Sequence, residues 1–145
     1  MPEPTRPDPR AVDVAEWLRH ARSDLTLATS EPPGGVLLEH LLYHAQQAAE
    51  KAIKAVLLAR GADVPRTHDI GLLLDRAAAG GALPDEIAQA GSLTMYAVLT
   101  RYPADLGEPT DDEAAEARAL ATAVVEWAEA AIAARVLDEE ARRMG

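Results

Sequence analysis

The sequence predicts an all-α protein, an up-and-down helical bundle of four main helices plus a short fifth helix. Three observations carry that prediction. Apolar residues recur at three-or-four spacing along most of the chain. The composition is rich in Ala and Leu, with no Phe, and nothing reads as a strand. The periodic stretches are separated by short breaks of Pro and Gly. At 145 residues the chain is long enough for one domain with a real core.

Residues 1–10, MPEPTRPDPR, carry Pro2, Pro4, Pro7 and Pro9. They lack the apolar core of a signal peptide and read as a disordered, extended tail ahead of a single helical domain over 11–141. The first helix is expected over 11–30, with Val14, Trp17, Leu18, Ala21, Leu25 and Ala28 on its buried face. SEPPGG ends it. The second is expected over 36–60, with Gly61 as its stop. Leu38, Leu41, Leu42, Ala45, Ala48, Ala49, Ala52, Ile53 and Val56 form a broad apolar face on it, small in the middle, which suits close approach of a neighbour. A short third helix spans 70–79. LPDE opens a fourth, with Pro84 in its first turn, running to about 101 before Pro103. TDDE predicts a capping box, Thr110 with Glu113, at the start of a last helix over 111–141. Its stripe is Ala114, Ala117, Leu120, Ala121, Val124, Val125, Ala128, Ala131 and Ile132.

The net charge is -10, which argues against a general binder of the phosphate backbone. The charge is uneven. Residues 108–129 hold seven acids against Arg118 alone, whereas 31–66 hold four acids and four bases. Three of the four His lie between 40 and 68, so a local phosphate site near the second helix remains compatible with the global charge. There is no Cys, hence no disulfide or thiolate chemistry, and no apolar run reaches a membrane span. A cytoplasmic protein is expected. No metal-ligand spacing, phosphate loop or nucleophile elbow is present, so no metal or cofactor is expected.

Three polar groupings are candidates for function. His40, His44, Gln47, Lys51 and Lys54 fall within about 40° of one line at roughly 100° per residue, opposite the apolar face. An ordinary amphipathic helix would make this row its solvated side. Imidazole and amide groups are nevertheless unusual choices for solubility, and the row also suits a ligand or a partner. PRTHD gathers Arg66, Thr67, His68 and Asp69. Thr67 or Asp69 would cap the third helix, while Arg66 and an oriented His68 would suit a phosphate. In MYAVLTRYPAD, Tyr96 and Tyr102 flank Arg101; this reads either as a helix C-terminal turn, where a cation suits the dipole, or as an arrangement able to stack on and pair with a nucleotide.

YHAQQAAEKAIKAVLLARG, PRTHDIGLLL and LTRYPAD, followed by an Ala-rich last helix, resemble the HEPN domain family (higher eukaryotes and prokaryotes nucleotide-binding), over about residues 12–134. The resemblance implies a helical bundle that pairs into dimers and is often encoded beside a minimal nucleotidyltransferase in a toxin–antitoxin-like pair. It also implies a nucleotide or RNA ligand. His40, His44, Gln47, Lys51, Arg66, Arg101 and Tyr102 are the binding candidates. Many members of the family are metal-independent ribonucleases whose signature is an Arg followed after four to six residues by a His. This chain departs from that signature. Its nearest case, Arg60 and His68, has seven residues between. A ribonuclease here would have to use a divergent site, with His44 or His68 as acid–base and Arg66 or Arg101 against the phosphate. A dimer module without chemistry is the third alternative.

Overall fold

The computed structural model describes residues 9–99 and 108–145. Helix α1 spans Pro9–Thr29. It starts two residues earlier than expected, because proline is tolerated in a first helical turn. Helix α2 spans Leu38–Ala59 and ends in a Schellman motif, with Gly61 N–H bonded to Leu58 O (3.0 Å) and Ala62 N–H to Leu57 O (3.0 Å). That motif needs a left-handed residue, and Gly61 supplies φ +72°. Helix α3 spans Ile70–Ala79, as expected, and Asp69 caps it by accepting from Leu72 N–H at 3.2 Å.

The expected continuous fourth helix is instead broken. Helix α4 is only Asp85–Ala88; a 3-10 stretch, Gln89–Thr94, follows, then α5, Met95–Leu99. The physical cause is a crossing with α3. A Cβ on Gly91 would sit 3.6 Å from the Cα of Gly71, so the two backbones approach closely there. Thr94 Oγ1 accepts the free Ile70 N–H at 3.0 Å. The sequence QAGSLT holds this tighter stretch because Gly and Ser give little preference for α-helix.

Helix α6, Asp111–Met144, opens with both bonds of the predicted capping box, Glu113 N–H to Thr110 Oγ1 and Thr110 N–H to Glu113 Oε1, each 3.1 Å. Helix α2 lies at the centre, packed by α1, α3, α6, the 3-10 stretch and α5. Ala45, Ala48, Ala49 and Ala52 are fully buried, which lets its neighbours approach closely. The described residues contain no strand, and no described helix is long and apolar enough to cross a membrane.

The central position of α2 corrects its expected wet side. Lys54 is only 8 % exposed, and Gln46 and Glu50 are buried as well. His44, Gln47 and Lys51 are half-buried, and His40 alone stays on the surface. With helices on nearly every side, α2 must place part of its polar row inside, and buried polar groups require partners. Among the described residues none of the buried side-chain polar atoms lacks one.

Candidate functional site

Those partners are two carboxylates. Asp24 of α1 lies on the spacing 17, 21, 24, 28, inside the apolar stripe that faces α2. Its Oδ1 accepts from His44 Nδ1 at 2.8 Å and its Oδ2 from Lys51 Nζ at 2.6 Å. Glu50 of α2 forms the second centre. Its Oε1 accepts from His68 Nδ1 at 2.7 Å and from Gln46 Nε2 at 3.2 Å, and its Oε2 from Lys54 Nζ at 3.2 Å. Each carboxylate therefore holds one imidazole and one ammonium.

The surroundings fix both groups. Gln46, fully buried, also donates to the His68 carbonyl at 3.0 Å, so the loop before α3 is fastened to α2 by backbone and side chain together. Gln47 donates to Gln46 Oε1 at 2.7 Å, which brings the polar row into contact with the Glu50 centre. Lys54 lies 5.7 Å from the Trp17 ring centroid, where the ring face favours a cation. Tyr43 meets the His44 ring edge-on, with centroids 5.7 Å apart.

This arrangement has a clear chemical consequence. An ionised carboxylate only accepts, so the Nδ1 facing it carries the proton. Nε2 is then the ring nitrogen left for another partner in both His44 and His68. The two imidazoles remain accessible, with side chains 34 % and 58 % exposed. Two oriented imidazoles can bind an acceptor or move a proton. Lys51 and Lys54 are less available for a phosphate than the sequence suggested, because each is already neutralised by a carboxylate.

The structure thus brings His44, Gln47, Lys51 and His68 into two adjoining networks. His40 and Arg66 are exposed and stand outside both. Arg101 and Tyr102 lie outside the described residues. Tyr96 does not fit the expected stacking corner, because its ring is packed in the core. Burial, and then the charges of Glu113 and Glu116, raise its phenol above the ordinary value. Among the described residues no group of three His, Cys, Asp or Glu gathers as a metal site. Asp24, Gln46 and Glu50 were not foreseen. An acid on an apolar stripe was the available signal for Asp24, and QQAAEK inside the most buried helix was the signal for the others.

Comparison with known proteins bears on this geometry. The family profile described as HEPN domain matches residues 14–131. The crystal structure of an archaeal HEPN homologue superposes with a TM-score of 0.65 at 29 % identity, covering 82 % of this chain and 97 % of that one. No curated protein matches significantly.

Proposed function

The chain belongs to the HEPN domain family, and from that premise we propose that it is a nucleotide-associated partner of a minimal nucleotidyltransferase in a toxin–antitoxin-like pair. The observation that carries the reading is the pair of carboxylate-held imidazoles on α2 and the loop before α3. His44, Gln47 and His68 present polar groups at the surface, His44 held by Asp24, His68 by Glu50 and Gln47 by Gln46. A face built in this way recognises through hydrogen bonds rather than through net positive charge. That suits a nucleotide's base edge and ribose, or the polar surface of a partner, in a chain whose net charge is -10. Arg66 and Arg101 are the cations proposed for a phosphate, with Tyr102 beside Arg101 and His40 at the end of the row. The protein acts in the cytoplasm and as a homodimer under this proposal. Calorimetric titration with ATP, AMP and GTP tests it, alone and with the neighbouring nucleotidyltransferase present. Binding in either arm that His44→Ala weakens supports the reading, and silence in both arms removes its nucleotide part.

One observation favours a second reading, a divergent metal-independent ribonuclease. Asp24 holds His44 in the tautomer that leaves Nε2 as a base, the role an acid–base imidazole needs. The family's Arg–His spacing is absent from this chain, which ranks the reading second. Purified protein that leaves RNA intact, together with no growth arrest on expression, would sink it.

A further inference from the structure

A cavity of about 300 Å³ lies beside the first half of α1, lined by Asp13, Glu16, Trp17, His20 and Lys51. It meets the Asp24 network at Lys51 and the Glu50 network through Trp17, whose ring centroid lies 5.7 Å from Lys54 Nζ. The spacing 13, 16, 17, 20 places the four α1 residues on one helical face. Its volume is at the small end of ligand-binding clefts.

The charges decide what fits. Lys51 is held by Asp24 at 2.6 Å and so contributes little free positive charge. Glu16 pairs with exposed Arg19 at 2.9 Å, and His20 lies 3.7 Å from Glu16. Asp13 is exposed and makes no hydrogen bond or ion pair with the described residues. An anion placed here would meet two carboxylates. A cation would meet Asp13 and the indole of Trp17. The same indole already draws one ammonium, since Lys54, buried and not part of the cavity wall, lies 5.7 Å from its centroid.

We propose that this cavity docks an arginine side chain from a basic segment of a partner protein. The guanidinium stacks on Trp17 and donates two parallel hydrogen bonds to Asp13, the geometry in which Arg exceeds Lys. The overall charge of -10 favours approach of a basic partner. This surface goes beyond the nucleotide reading and stands or falls separately from it.

The test uses the full chain carrying Trp127→Phe, so that Trp17 is its one tryptophan, and an acetylated, amidated tri-arginine peptide as probe. Titration is expected to quench Trp17 fluorescence saturably. Asp13→Asn is expected to weaken binding about tenfold, and Glu140→Gln, an exposed acid on α6, to leave it unchanged. In the unsubstituted protein the Trp17 indole N–H signal is expected to shift on peptide addition, a check that does not depend on Trp127→Phe folding. Equal weakening by Asp13→Asn and Glu140→Gln overturns the proposal, since that is attraction to net charge alone. So does an unperturbed Trp17, or a Trp17 signal moved by ATP and not by the peptide.

Discussion

Glu50→Ala is the most informative single substitution for stability. The Glu50 side chain is 5 % exposed and accepts from Gln46, His68 and Lys54. Removing it leaves the Lys54 ammonium buried without its counter-ion. Breaking a buried pair from one side costs about 3–5 kcal/mol. Lys54 keeps its contact with Trp17, a term of about 0.5–2 kcal/mol, which places the expected loss near the lower end, about 3 kcal/mol. For a chain of this size that is a drop of about 6–12 °C in Tm. Urea unfolding followed by circular dichroism measures it. The double variant Glu50→Leu with Lys54→Met removes both charges, and it should recover most of the loss, because an apolar replacement of a buried pair is often neutral. If Glu50→Ala lies within about 0.5 kcal/mol of the parent, the ammonium reaches water without effort, and the picture of a dry, carboxylate-organised interior is wrong.

Other expected outcomes follow from single features. Thr110→Ala removes the capping box of α6 and should cost about 1 kcal/mol in the same unfolding assay. Gly61→Ala forces an L side chain to φ +72° and should also cost about 1 kcal/mol, even though its Cβ meets only the flexible end of Arg10 at 3.4 Å. Tyr96 gives a pH dependence. Its folded-state pKa is raised above 10.0 while the unfolded value stays near it, so the folded chain holds the proton more tightly. The stability this provides against ionisation is therefore intact below about pH 10 and declines as pH rises through the raised value. Tyr96→Phe should flatten that alkaline decline in urea midpoints measured from pH 8 upward.

Much of the fold was legible because its signals are local. The capping box in TDDE, the stop at Gly61 and the short helix after THD each rest on residues within one turn of each other. The break in the fourth helix was not legible in full. Gly91 and Ser92 weaken a helix there, but the crossing with Gly71 joins positions twenty residues apart by number, and helical periodicity contains no such information. The site was half legible for the same reason. His44, Gln47 and Lys51 stand out as a row on one helix. That the row turns inward, and that its partners are Asp24 on another helix and Glu50 just off the line, depends on α2 being enclosed by its neighbours. Helical spacing identified a polar line, and only packing decided that part of it is interior.

His44, Gln47 and His68 are proposed as a recognition face for a nucleotide or for a nucleotidyltransferase partner. A two-dimensional ¹H–¹⁵N titration of the full chain with ATP, then with the nucleotidyltransferase, tests it most directly. Shifts centred on His44, Gln47, Lys51 and His68 are expected, with those at His44 and Lys51 lost in Asp24→Asn, which removes the carboxylate that both of them share. Shifts confined to other surfaces with both ligands, or the same His44 and Lys51 shifts in Asp24→Asn, would contradict the proposal.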